Sequence, residues 1–206
     1  YEFHTIYHGL NYFCGTTMSA FYLDILKDRL YTSGTDSALR RSAQTALYQI
    51  LDGLLRLMSP ILCFTSGEAW ESFHGLDQKS PLTDSIYFME FPAAAPVDVD
   101  AGMMAKWAKL IQVRSEITKA LEIARREKVI GHPLEAEVLL QAEGALREFL
   151  LSEWTTVKEI SIISELSELT PGSPEKGVRC VSEELEGFVI QVQPAPGGKC
   201  TRCWIR

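Results

Sequence analysis

Two cysteines near the end of the sequence, Cys200 and Cys203, carry its sharpest chemical signal. Thiolates separated by two residues can both reach one tetrahedral zinc ion, because the tight turn between them aims both sulfurs inward. One such pair supplies two of about four ligands. The sequence stops at Arg206 without a second pair, so the expectation is an incomplete metal site, Cys200 and Cys203 being its first half. Cys180 could supply a third sulfur, but it falls in a predicted strand and reads better as a packed thiol. A redox pair is the rival reading, and no strand-then-helix setting surrounds it.

No other catalytic constellation is present. There is no glycine-rich phosphate loop and no nucleophile elbow. His4 and His8 are one helical turn apart, as in a metallopeptidase helix, but Thr5 stands where such a site needs its glutamate base. They read as polar residues beside an aromatic stripe. The expectation is therefore a binding chain with no catalytic residues of its own.

The basic residues form three groups. Lys27 and Arg29 are expected near Arg40 and Arg41 across one turn; Arg125, Arg126 and Lys128 cluster at a helix end; Lys199, Arg202 and Arg206 flank the cysteines. Taken singly, each reads as a solvated charge or a cation favoured at a helix C-terminus. Three groups in an acidic chain point to phosphate contact. Arg114 borders an apolar stripe and is expected to be partly buried against a carboxylate.

The elements that must position these groups are mainly helical. Phe3, Ile6, Tyr7, Leu10, Phe13, Cys14 and Thr17 fall at steps of three and four on one face. Ser19 can cap a second helix carrying Phe21, Tyr22, Ile25, Leu26 and Leu30, which Ser33-Gly34-Thr35 ends. Leu39, Ala43, Leu47, Ile50, Leu54, Leu57 and Met58 mark a third helix that stops before Pro60. A fourth is expected over about 65–73. A loop with Pro81, Pro92 and Pro96 follows, with a short extended piece at Ile86-Tyr87-Phe88. A long helix is expected from about Met103 to Lys128, closed by Gly131-His132-Pro133. Beyond it the texture changes: strands are expected at 136–140, 157–163, 179–182 and 188–192, with a short helix over 144–151. The fold class is thus mainly α: a helical bundle over 1–130, a small α+β module over 131–196, and a cysteine turn over 197–206.

The 206 residues are 46% hydrophobic and 23% charged, the balance of a soluble globular protein, with no run long and apolar enough to span a membrane. The net charge of -7 argues against a nucleic-acid binder, though phosphate contact needs only a local basic patch. The five cysteines are an odd number with no disulfide pattern, which fits a reducing cytoplasm. The opening Tyr1-Glu2-Phe3-His4 is unlike a signal peptide, and with no initiator Met the sequence is expected to begin inside a longer protein.

Four segments resemble, in order, the anticodon-binding region of isoleucyl-tRNA synthetases. They are Tyr1 to Tyr7 with Phe13-Cys14, then Ser19 to Tyr31, then Arg114 to Glu122 with Arg125, Gly131 and Leu134-Glu135-Ala136, and finally Lys199 to Trp204. The resemblance implies a helical bundle that holds the anticodon stem-loop, an α+β junction and a truncated zinc knuckle. It also implies a parent enzyme that joins isoleucine to its tRNA using ATP and Mg in a catalytic region absent from this sequence. The family carries a second cysteine pair that is missing here, so zinc belongs to the parent enzyme, which is expected to be monomeric. On this reading Lys27, Arg29, Arg40, Arg41, Arg125, Arg126, Lys199 and Arg202 contact RNA, with Arg29, Arg40 and Arg41 on phosphates. Trp204 either meets a loop base or packs the knuckle. The alternatives are the corresponding domain of a valyl-, leucyl- or methionyl-tRNA synthetase, and a helical protein-interaction module, which the net charge favours.

Overall fold

The computed structural model describes residues 2–77, 79–93, 100–170, 172 and 176–206. The chain forms two compact units, one made of residues 1–27 with 99–206 and the other of residues 28–98. Within the larger unit, the long helix before residue 130 shares a core with the sheet after it.

In the larger unit that helix, α5 (Ala101–Arg126), is capped by Asp100, whose carboxylate accepts from the Gly102 amide at 3.0 Å. Leu110, Val113, Ile117, Ala120, Leu121 and Ala124 lie along one buried stripe. The stripe packs on a four-stranded sheet of β1 (Ala136–Gln141), β2 (Glu165–Glu168), β3 (Val178–Val181) and β4 (Val189–Pro194). Their order is β2-β1-β4-β3, with β1 parallel to β2 and the other pairs antiparallel. The parallel pair needs a crossover, which α6 (Gly144–Ser152) and α7 (Trp154–Ser161) provide. Ala136, Val138 and Leu140 of β1 and Ile190 and Val192 of β4 enter the same core as α5, two residues apart as strand geometry requires. On the opposite face Glu137 accepts from Ser167 Oγ at 3.0 Å and from Gln193 Nε2 at 2.8 Å.

The strand expected over 157–163 is a correction. Val157 and Ile160 lie on α7 and are buried against the core, three apart as on a helix face. Their β-branched type suggests a strand, and packing against α5 overrides that preference. The strand of this region lies later, at β2.

The amino-terminal segment runs through α1 (Phe3–Tyr12), a stretch of wider π-type turns (Phe13–Leu23) and α2 (Asp24–Tyr31). The backbone stays helical at Phe13 and Asp24, so Ser19 caps no new helix. The aromatic stripe of α1 is not buried: Phe3 and Tyr7 are 59% and 63% exposed. Further along, Ile25 packs against the α5 core.

In the smaller unit α3 (Ala38–Met58) and α4 (Cys63–His74) lie where they are expected. Gly75 ends α4 with φ 66°, a left-handed position that glycine adopts freely. The core is Leu55, Trp70 and Ile86, with Trp70 Nε1 donating to the Asp84 carbonyl at 2.9 Å. The stripe expected on α3 is buried only at Ala43, and Leu55 off that stripe is buried instead. The piece expected to be extended at Ile86-Tyr87-Phe88 is a single 3-10 turn. It puts Ile86 into the core and lets Tyr87 donate to the Cys63 carbonyl at 2.7 Å. Pro96 lies outside the described residues.

Candidate nucleic-acid interface

The cysteine turn is anchored to the larger unit. Cys200 N donates to the Ile205 carbonyl at 2.8 Å, and Trp204 N returns a bond to the Cys200 carbonyl at 3.1 Å. Arg206 N donates at 2.9 Å to the hydroxyl of buried Ser164, which itself donates to the Leu134 carbonyl. The Ala195 amide fixes the entry to the turn by donating to the Glu135 carbonyl at 2.7 Å.

Both cysteines are free thiols. The backbone N–H of Cys203 first, then that of Arg202, and the Cys203 thiol hold the Cys200 thiol down to about 7. Such a turn favours a thiolate, the form that binds a soft metal. Cys180, by contrast, is packed against the core, and burial pushes its thiol up, with Glu127 adding to the effect. Among the described residues no three His, Cys, Asp or Glu side chains converge as a metal site.

Trp204 sits on this turn with φ 67° and is 56% exposed. Lys199 Nζ lies 4.9 Å from its ring centroid, a cation–π arrangement. The same ammonium is 4.0 Å from Glu135, whose other carboxylate oxygen accepts the Gly131 amide at 3.1 Å. That amide bond is the main cause of a Glu135 carboxyl held below its usual range, with Arg206 and Lys199 adding to it. Arg202, on the turn itself, is exposed.

At the end of α5, Arg125 pairs with Glu122 at 2.7 Å, while Arg126 is exposed. Arg125, Lys128, Gly131, Glu135 and Arg206 line a recess of about 350 Å³ between the helix end and the cysteine turn. The fold thus joins the second and third basic groups, which sequence shows only as separate runs. Nothing local in the sequence signals that meeting, because it is made by the anchoring of the last turn to Ser164.

The first basic group is divided between the units. Lys27 belongs to the larger one and is 2.6 Å from Asp24. Arg29, Arg40 and Arg41 belong to the smaller one, where Arg40 donates to the Ser33 carbonyl at 3.3 Å and Arg41 is exposed. Arg114 is half-buried, as expected, but its direct partner is a carbonyl: Nε donates to Ile160 O at 2.7 Å. The guanidinium lies 4.9 Å from the Phe21 ring centroid. Burial pushes its pKa down, and Asp24 opposes this through its charge.

A family model described as the anticodon-binding domain of tRNA ligase matches residues 1–140. The chain belongs to this anticodon-binding family. Its similar relatives include the isoleucine–tRNA ligase of Desulfotalea psychrophila, 60% identical over 206 residues, which are 100% of this chain and 22% of that protein. The isoleucine–tRNA ligase of Desulfitobacterium hafniense is 43% identical over 100% of this chain and 22% of its own length. That of Syntrophotalea carbinolica is 43% identical over 99% of this chain and 21% of its own. The chain therefore spans about a fifth of the length of the curated relatives it matches. The anticodon-binding match ends at residue 140, so the sheet beyond β1 and the cysteine turn lie outside it but inside the region aligned with these ligases.

Proposed function

We propose that this chain holds the anticodon stem-loop of an isoleucine-accepting tRNA within an isoleucine–tRNA ligase. The observation that carries the proposal is a recess lined by Arg125, Lys128 and Arg206 beside an anchored turn whose exposed Trp204 has Lys199 over its ring, in a chain of the anticodon-binding family. RNA loops present unstacked bases to aromatic side chains and phosphates to cations, and this surface offers both. Lys27, Arg29, Arg40, Arg41, Arg126 and Arg202 extend the set of proposed contacts. The ATP- and Mg-dependent joining of isoleucine to tRNA is assigned to the rest of the parent enzyme, proposed to be monomeric and cytoplasmic. Consistent with a location outside the membrane, no helix among the described residues is long and apolar enough to cross one.

The thiolate-favouring turn fits a zinc ion, for which Cys200 and Cys203 would supply two sulfurs and a further pair the remainder. Bound there, zinc would lock the fold of the turn. Metal analysis of a longer chain tests this: zinc should appear with a second cysteine pair, and its absence from such a chain refutes the assignment.

Filter binding with isoleucine tRNA and a non-matching tRNA tests the main proposal. Preferential, salt-sensitive binding to the former is expected. Negligible, salt-insensitive binding to both would favour a protein-interaction module instead.

A further inference from the structure

We propose that the recess between the end of α5 and the Cys200–Arg206 turn seats one phosphodiester of the RNA backbone, with Lys128 and Arg206 as its main ligands. The proposal rests on the RNA-binding function above and assigns, within it, one site that joins two residues which sequence shows only in separate basic groups.

Two elements deliver three cations to this recess of about 350 Å³: Arg125 and Lys128 come from the last turn of α5 and its cap, and Arg206 from the cysteine turn. A cation in the last turn of a helix has a structural explanation, since it faces the negative end of the macrodipole. That accounts for Arg125, which is also paired with Glu122 at 2.7 Å. Lys128, just past the same helix end, shares the dipole explanation for its charge but not for its backbone conformation, and the dipole does not account for Arg206. Arg206 arrives from far along the chain. Lys128 makes no ion pair among the described residues, and it stands where glycine is the ordinary choice.

The cap geometry shows this. Val129 N donates to the Ala124 carbonyl at 2.9 Å and Lys128 N to the Arg125 carbonyl at 3.1 Å, the two bonds of a Schellman motif. The residue between the helix and Val129 must then be left-handed, and Lys128 has φ 60°. Glycine takes this conformation freely, whereas a side chain there costs stability. A lysine at such a position, beside a recess into which another cation also reaches, fits a ligand that needs its charge.

The recess already holds one anion of the chain itself. Glu135 accepts the Gly131 amide at 3.1 Å, and its other oxygen is 3.9 Å from Arg206 and 4.0 Å from Lys199. Those ion-pair distances are longer than charge-assisted hydrogen bonds, so Arg206 and Lys199 retain donors for a second anion. Arg206 is also positioned from its own backbone through the bond to Ser164. A polynucleotide fits better than a free phosphate because Lys199 links the recess to the ring of Trp204, 4.9 Å away, where an adjoining base could lie.

The experiment is filter binding of isoleucine tRNA to the full protein that contains this chain, over a range of salt. Lys128→Gly should weaken binding about 3- to 10-fold and lower the salt slope by about 1. The same variant should raise the thermal midpoint, because it relieves the left-handed lysine, so a lost fold cannot explain weaker binding. Lys128→Gly with Arg206→Gln should lower the slope by about 2, and Glu135→Gln should tighten binding by removing the competing charge. Wild-type affinity and slope in the double variant, with the wild type binding tRNA, would overturn the seat and leave the RNA-binding function standing. A wild type that binds no tRNA would overturn both. Inorganic pyrophosphate is the probe for a free anion: displacement of tRNA at micromolar pyrophosphate would overturn the backbone assignment.

Discussion

The amide of Arg206 donates to the hydroxyl of Ser164 at 2.9 Å, joining residues 42 apart in sequence. Ser164 is 1% exposed and its hydroxyl donates to the Leu134 carbonyl. The last residues of the chain are thereby fixed to the turn that leads into β1. Ser164→Ala removes both bonds and leaves the Leu134 carbonyl without that donor, a loss of about 1–3 kcal/mol. The expected outcome is a lower urea midpoint together with faster hydrogen exchange at the Arg206 and Trp204 amides. Unchanged exchange at those two amides would show that the turn is held by other means.

Gly177 approaches β4 more closely than any side chain could. It has φ 74°, and a Cβ there would lie 2.0 Å from the Val192 carbonyl oxygen. That oxygen belongs to backbone of the central β1–β4–β3 pairing and cannot move aside without breaking it. Gly177→Ala should therefore cost more than about 3 kcal/mol, combining overlap with left-handed strain. Chemical denaturation measures the loss, and amide exchange should locate it on β3 and β4.

Much of this architecture is legible from local pattern. Helix α5 shows a clean 3.6-residue stripe from Leu110 to Ala124, and β1 alternates Ala136, Val138 and Leu140 toward the core. The cysteine pair is legible for the same reason, since its signal lies within four residues. What escapes is set by distance. Val157 and Ile160 look strand-like until α5 is known to pack on them. Leu55 rather than Leu54 or Leu57 is buried because Trp70 and Ile86 arrive on its side. Lys128 and Arg206 give no joint signal, because the contact that unites their surroundings is made by Ser164, an unremarkable serine in sequence.

Glu116 sets a pH dependence. The carboxylate is 4% exposed and accepts from Lys119 Nζ at 2.5 Å and Ser182 Oγ at 2.6 Å. Ser182 in turn accepts the Leu185 amide at 2.9 Å, so α5 is tied through it to the turn between β3 and β4. The Lys119 bond first, then the Ser182 bond, hold the Glu116 carboxyl below its ordinary value of 4.5. A depressed carboxyl contributes stability above its unfolded pKa and loses it as pH falls through the folded one. Denaturation midpoints should thus be flat above the ordinary value and fall below it. Glu116→Gln should cost about 1–2 kcal/mol at neutral pH and reduce that acid-side slope. An equally steep slope in the variant would assign the acid sensitivity to other carboxylates, such as Glu135 and Glu153, which are also held low.

The thiols should separate by reactivity. Cys200 is exposed and held down to about 7 by the N–H groups of Cys203 and Arg202, so it is largely thiolate just above neutral pH. Cys180 is packed against the core, and burial and Glu127 push its thiol up. Alkylation by iodoacetamide in the absence of metal, followed by peptide mass spectrometry, should label Cys200 well before Cys180. The rate at Cys200 should rise with pH and level off above about 7, whereas that at Cys180 should still be rising there. Cys63, exposed at the start of α4, serves as a reference thiol in the same sample. Equal rates at Cys200 and Cys63 near neutral pH would mean that the N–H groups of the turn do not stabilise the thiolate. The proposal that this turn is ready for zinc would then lose its chemical support.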